Sequence, residues 1–253
     1  MSFDFKSVSS HSPPPAWQAT RPENNFGCLQ SCKTWYNRIM RTYLSADFHL
    51  NHSNIVKYCG RTSFMSEGEK DQYLANPSNR SFKISRDTTQ RMDETIIDSI
   101  NRLIQPDDIL YFLGDFCFAP RRYYYETAKR YRSQINCQNI YMIWGNHDQH
   151  SIRDLFSGAF DLTTVQINGH PVVLSHYAMA IWDRRHHGSY NFHGHSHGRA
   201  EAWLDSIMPG RFSMDVGVDH AFMLFGEYRP FDFEVDILPV FAKRSGFGLL
   251  SKD

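Results

Sequence analysis

The sequence predicts an α/β protein in which two packed sheets carry helices on their outer sides. Three observations lead there. Short apolar runs of strand type alternate with amphipathic helical stretches through the first half of the chain. The second half holds mainly short alternating segments and turn residues. The length of 253 residues, with 41% hydrophobic and 21% charged content, suits one core of α/β size. Strand–helix repeats need a sheet with a covered face, and the β-rich half supplies a second sheet to pack on it.

Residues 1–26 are rich in Ser, Pro and Asn and cannot bury a core, so a mobile arm is expected there, followed by one domain over 27–253. The segment 39–46 ends in an apolar run and stops at Asp47, as a buried strand feeding a loop would. Residues 63–90 are polar, contain Pro77 and read as a surface insertion, either lidding a site or simply solvated. Met92, Ile96, Ile97, Ile100, Leu103 and Ile104 recur at helical spacing, with Asp93 and Glu94 in the first turn and Pro106 as the stop, which predicts a helix over 92–104. A strand is expected over 109–113, ended by Gly114-Asp115, then a helix over 123–135 and a strand over 140–144, ended by Gly145-Asn146. Thr163, Val165 and Ile167 alternate, Asn168-Gly169 turns, and the chain returns over 172–174, which is a hairpin signal. Further strands are expected over 190–193, 212–216 and 233–237. No internal repeat is present.

Composition narrows the function classes. The formal charge is zero, so a strongly basic nucleic-acid binder is excluded and any nucleic-acid contact needs a local patch. The stretch from Arg121 to Arg132 interleaves Tyr with Arg and Lys, which suits either such a patch or the outer face of an amphipathic helix. Five cysteines at irregular spacing argue against a disulfide framework and for a reducing compartment. No apolar run approaches the ~20 residues of a membrane span, and the first residues lack a signal-type run. A cytoplasmic location is expected.

Each expected strand ends in residues of metal-ligand type. They are Asp47-Phe48-His49, Gly114-Asp115, Gly145-Asn146-His147-Asp148, Ser175-His176 and Gly194-His195-Ser196-His197-Gly198. Loops at the carboxyl ends of strands gather into one cleft in α/β sheets. An x-His-x-His pair puts both imidazoles on one face of an extended segment, so His195 and His197 reach two adjacent ions. Phosphate esters resist hydrolysis because their anionic oxygens repel a nucleophile. Two cations about 3.5–4 Å apart neutralise those oxygens, and a water between them ionises near neutral pH. A carboxylate must lie between the ions to serve both. Imidazole, carboxylate and amide oxygen without thiolate select Mn²⁺, Fe, Co²⁺, Ni²⁺ or Zn²⁺ over Ca²⁺.

In order and wording these five blocks resemble those of the calcineurin-like metallophosphoesterases, which read D-x-H, G-D, G-N-H-D/E, H and G-H-x-H. The resemblance covers about residues 41–237 and is strongest to the small bacterial and phage branch. That branch carries D-x-H-x-x-H-x-N-I, matched from Asp47 to Ile55, and M-D-E-T, matched at Met92 to Thr95. It also carries V-G-V-D and Y-R-P, matched at Val216 to Asp219 and Tyr228 to Pro230. The resemblance implies a four-layer αββα sandwich of two mixed β-sheets. It assigns Asp47, His49 and His197 to a first ion, Asp115 to a bridging position, and Asn146, His176 and His195 to a second. His147 would then face the phosphate and leaving group as the catalytic acid, with Asp148 orienting it. The protein-phosphatase continuation G-D-x-x-D-R-G is absent, because Gly114-Asp115 runs into Phe116-Cys117-Phe118.

The expected function is therefore hydrolysis of a phosphodiester by a hydroxide bridging two ions, Mn²⁺ foremost. The substrate would be a cyclic nucleotide, a nucleotide derivative or a nucleic-acid end. The alternatives are a phosphomonoesterase on a nucleotide, phospho-sugar or phosphoprotein, and a non-catalytic interaction module on the same fold. Candidate substrate contacts are His52, which either touches phosphate or braces the Asp47 loop, and Arg184, Arg185 and His187, which either bind an anion or form a solvated turn.

Overall fold

A computed structural model describes residues 39–245; the arm expected over 1–26 lies outside the described residues. The strands are β1 (Thr42–Ser45), β2 (Ile109–Phe112), β3 (Asn139–Ile143), β4 (Gly158–Phe160), β5 (Leu162–Ile167), β6 (His170–Ser175), β7 (Tyr190–His193), β8 (Ser213–Asp215) and β9 (Phe231–Asp232). The helices are α1 (Ser53–Tyr58), α2 (Glu67–Ala75), α3 (Arg86–Leu103), α4 (Tyr124–Arg132), α5 (Glu201–Ile207), α6 (Val218–Phe225) and α7 (Leu238–Ser245). Two mixed sheets result. One has the order β4-β3-β2-β1-β9, parallel except for β9, and the other has the order β5-β6-β7-β8, with β5 antiparallel.

Side chains alternate across a strand, and that alternation sorts the first sheet between two cores. Tyr43, Leu110, Phe112, Ile140 and Met142 pack with Met92, Ile96 and Ile100 of α3 and with Tyr124, Ala128 and Tyr131 of α4. Leu44, Leu113 and Ile143 face the other way, into a core shared with Val172, Leu174, Phe192 and Met214 of the second sheet. A sheet buried on both faces accounts for the unbroken apolar runs in its sequence. In α4 the buried Tyr124, Ala128 and Tyr131 leave Arg130 and Arg132 outside the core, as an amphipathic helix requires.

Two expectations need revision. The run 233–237 is not a strand but a π-helical turn. The Asp232 carboxylate accepts from the Glu234 and Val235 N–H groups at 2.9 and 3.0 Å, which caps the turn, and the strand pairing stops at β9. The helix expected to begin at Met92 begins at Arg86, where the Ser85 hydroxyl accepts from Thr88 N–H at 3.1 Å. The stretch 63–90, read as a polar surface insertion, contains α2 and the first turn of α3. The Glu69 carboxylate holds it in place through the Ser85 N–H at 2.7 Å and the Thr88 hydroxyl. Tyr73 adds a bond to the Lys57 carbonyl at 3.0 Å. The hairpin forms as expected, because Asn168 and Gly169 take φ of 49° and 81°, the two positive values that a tight primed turn needs. No described helix is long and apolar enough to cross a membrane.

Candidate metal centre

The loops that follow β1, β2, β3, β6 and β7 carry the ligand-type residues, and their backbone is unusual. Asp47, His49, Asp115, His195 and His197 take φ of 59°, 51°, 62°, 67° and 52°. Non-glycine residues in this region cost about 1–3 kcal/mol each and persist only where their surroundings hold them. Here the turns after β1 and β2 hold each other: Asp47 N–H donates to Gly114 C=O, His49 to Asp115 and Leu50 to Phe116, at 2.9, 2.9 and 3.0 Å. Gly194 lets the third turn come close. A Cβ there would lie 2.6 Å from the Ala46 Cβ and 2.8 Å from an Asp47 carboxylate oxygen.

The turns bring all seven ligand candidates together. Ligand atoms of Asp47, His49 and His197 lie within 4.8 Å of one another, and so do those of Asp115, His176 and His195. One Asp115 carboxylate oxygen stands between the two sets, 3.5 Å from His49 Nε2 and 3.6 Å from His176 Nε2. The Asn146 amide oxygen completes the second set, 3.0 Å from His176 Nε2 and 2.9 Å from His195 Nδ1. His147 is exposed beside them; its N–H donates to Asp115 Oδ1 at 2.9 Å, and its ring falls in a third group with His49 and Asp115.

The electrostatics suit cations. Burial first, then Asp215, Asp115 and Asp219, push the Asp47 carboxyl well above the usual range. Burial first, then Arg61 and the neighbouring imidazoles, hold His49 well below its ordinary value. A cation beside Asp47 would offset the repulsion among these carboxylates, and His49 is kept as the neutral imidazole that a metal binds. His49 is 1% exposed, yet neither ring nitrogen has a hydrogen-bond partner. Orphaned buried nitrogens of this kind call for a ligand, and a divalent ion fits a donor set of imidazole, carboxylate and amide. These His and Asp groups are thus fit to bind metal ions. Cys59 joins His197 and Asp219 in a further group, where burial and Asp219 push its thiol up to about 12.

Asp148 does not turn to the His147 ring. Its carboxylate accepts from the N–H groups of Asp115, Phe116 and Gly145 at 2.7, 2.9 and 2.9 Å and from the Tyr124 hydroxyl at 3.0 Å, so it ties two ligand turns together. His52 faces the cluster, with its ring centroid 5.5 Å from His49 and 6.0 Å from His147, and it stacks on Phe118 at 4.3 Å. Burial, then His147, brings His52 down to about 4. Arg184, Arg185 and His187 sit elsewhere in an exposed turn; Arg185 lies over Trp182 at 5.3 Å and His187 packs on His186 at 4.1 Å. Their described contacts do not join the cluster. Three residues that sequence reasoning passed over border it: Arg61, Asp215 and Asp219. Asp219 stands in the quoted V-G-V-D stretch, the one signal available, whereas Arg61 had none.

Comparison with known proteins gives limited company. No protein-family profile matches the chain. An uncharacterized protein of Methanocaldococcus jannaschii is 29% identical over 181 residues, which span 71% of this chain and 82% of that protein. A protein of unknown function from Aquifex aeolicus has a similar structure, with a TM-score of 0.51 and 18% identity over 76% of this chain and 95% of that one. That likeness speaks for the fold alone. A structure described as a novel archaeal phosphodiesterase is more distant, with a TM-score of 0.31 and 12% identity over 62% of this chain and 73% of that one.

Proposed function

We propose that this chain is a dinuclear metal-dependent phosphoesterase that hydrolyses a phosphodiester, on a calcineurin-like αββα sandwich. The observation that carries the reading is Asp115, whose single carboxylate oxygen lies between two convergent ligand sets. Asp47, His49 and His197 would hold one divalent ion, and Asn146, His176 and His195 the other, with Mn²⁺ the foremost candidate and Fe, Zn²⁺, Ni²⁺ or Co²⁺ alternatives. Bound there, such ions supply neutralising charge for phosphoryl oxygens and lower the pKa of water. The exposed His147 ring stands beside the cluster, where it would hand a proton to the leaving oxygen. Phe116 and Cys117 follow Asp115 and are buried, so this turn presents no cation for a dianionic monoester, which favours a diester. A nucleotide-like substrate suits the half-exposed Phe118 stacked beneath His52, since an aromatic face accepts a base.

Rates on bis-aryl phosphate and aryl phosphate, measured with Mn²⁺ on protein first stripped of metal, test the proposal. Faster diester cleavage is expected, abolished by Asp115→Asn with folding retained. Cleavage of monoesters alone would replace the diester reading with a phosphomonoesterase, and a failure to bind or respond to any transition metal would sink both.

A further inference from the structure

We propose that Arg61 and Asp219 are positioning residues for the first ion, a buried pair that reaches the turn of Asp47 and His49 on one side and His197 on the other. The inference rests on the metal-centre reading above. Arg61 is fully buried, with 0% of its surface exposed. Its Nε and Nη2 donate to the two oxygens of Asp219 at 2.9 and 2.8 Å, a two-pronged pairing that only the planar fork of arginine makes. Nη2 also donates to the Asp47 carbonyl at 2.8 Å, and Nη1 to the Phe48 carbonyl at 3.1 Å. These carbonyls belong to the strained turn in which Asp47 and His49 take φ of 59° and 51°. On its far side, Asp219 Oδ2 accepts from His197 Nδ1 at 2.6 Å. A carboxylate only accepts, so Nδ1 carries the hydrogen and Nε2 is left with the lone pair that a metal requires.

Two turns about 150 residues apart in sequence are thereby joined through the Arg61–Asp219 pair. Asp47 is held by its own carbonyl, His49 through the Phe48 carbonyl that precedes it, and His197 by its ring through Asp219. The side chains of the second-ion ligands have other supports: His176 Nδ1 meets the Leu113 carbonyl at 2.7 Å, and the Asn146 amide joins His176 to His195, while only the main-chain N–H of His195 leans on the Asp47 carboxylate, at 2.9 and 3.1 Å. Stability alone does not call for a buried ion pair, since apolar groups of the same volume often serve as well. The arrangement here instead converges on the ligands of one ion.

Asp219→Asn and Arg61→Lys, made in the full chain and stripped of metal, separate the possibilities when titrated with Mn²⁺ by calorimetry and electron paramagnetic resonance, with thermal melts alongside. The wild type is expected to take up two ions. Each variant should retain one within about threefold of its wild-type affinity and bind the other about 10- to 100-fold more weakly, the usual effect of losing a partner that orients a ligand. Equal weakening of both ions would show a general structural role and overturn the proposal, as would unchanged binding of both. If Arg61→Lys does not fold, Asp219→Asn decides; if neither variant melts cooperatively, the pair is a folding element and the proposal fails. A wild type that binds no Mn²⁺ would instead remove the metal-centre reading itself.

Discussion

Asp148→Ala offers a direct measure of how firmly the ligand turns are held. The carboxylate accepts four hydrogen bonds, three of them from main-chain N–H groups of the turns after β2 and β3. Truncation leaves four donors without a partner. A buried donor so stranded costs about 1–3 kcal/mol, and the residue is half-buried, so water enters and the lower figure applies. That gives about 4 kcal/mol. Part of it is returned, because burial already pushes the Asp148 carboxyl above its ordinary range and removing the group relieves that penalty. A net loss of about 3 kcal/mol remains, or a fall in melting temperature of about 6–12 °C for a domain of this size. Asp148→Asn keeps one acceptor oxygen but turns an N–H₂ group toward N–H donors, so it should fall between wild type and Ala. The assay is thermal unfolding by far-ultraviolet circular dichroism, in chelator and again with Mn²⁺. A melting point for Asp148→Ala within 2 °C of wild type would refute the account of Asp148 as the tie between these turns.

Other perturbations follow from the same geometry. His147→Ala should lower turnover by about 10²-fold or more with Mn²⁺ content unchanged by elemental analysis; a loss of metal would place His147 among the ligands, a role its nearness to His49 and Asp115 also permits. Gly194→Ala should destabilise by about 1–3 kcal/mol in urea unfolding, because the new methyl would meet Ala46 at 2.6 Å. Asp93 provides the pH test. Burial raises its carboxyl from 3.8 to about 6, against bonds from the Tyr131 hydroxyl and Asn51 N–H that favour ionisation. The folded state thus holds this proton more tightly than the unfolded chain does, and stability from Asp93 is full below 3.8 and lost as pH rises through 6. Wild type minus Asp93→Asn should therefore fall in stability between pH 4 and 7, by at most on the order of 3 kcal/mol, in chelator-treated protein followed by urea unfolding. A pH-independent difference would show that Asp93 titrates normally.

The strand-end ligands were legible because each follows an apolar run that can only be a buried strand: Leu44 and Ala46 before Asp47, Phe112 and Leu113 before Gly114-Asp115, Met142 and Ile143 before Gly145-Asn146. Local chemistry also sufficed for the Asn168-Gly169 hairpin. Periodicity misled over 233–237, where Phe233, Val235 and Ile237 alternate as a strand would. Yet Phe233 and Ile237 are also four apart, one helical turn, and it is Val235 that stands 60% exposed while both others are buried. The deciding Asp232 cap is a local bond, to N–H groups two and three residues on, that no period records. The helix α6 is hidden for another reason: its polar Asp219 and His220 are buried while the unbroken run Phe222 to Phe225 is exposed, the reverse of an amphipathic stripe. The resemblance pairs Asp148 with the neighbouring His147, while its hydrogen-bond partners, Gly145 apart, lie 24 to 33 positions away. Arg61 pairs with Asp219 across 158 residues, and a lone arginine carries no mark of such a role.

What escaped the sequence has one physical character. Four of the five ligand turns are braced by a carboxylate: Asp148 braces the turns after β2 and β3, Asp219 with Arg61 those carrying Asp47, His49 and His197, and Asp215 the segment 194–198. Asp215 accepts from the Ser196 hydroxyl at 2.6 Å and from Gly198 and Gly217 N–H at 3.0 and 2.7 Å. Five ligand residues at positive φ represent strain of several kcal/mol in sum, and a chain without these braces would relax it by letting the turns drift apart. Holding a donor set to within about 0.5 Å is what metal affinity demands. The same carboxylates, packed around Asp47 and Asp115, supply the negative field that makes cations the natural occupants. Bracing and attraction come from the same few buried acids, which is why substituting any one of them should be felt in folding and in metal affinity together.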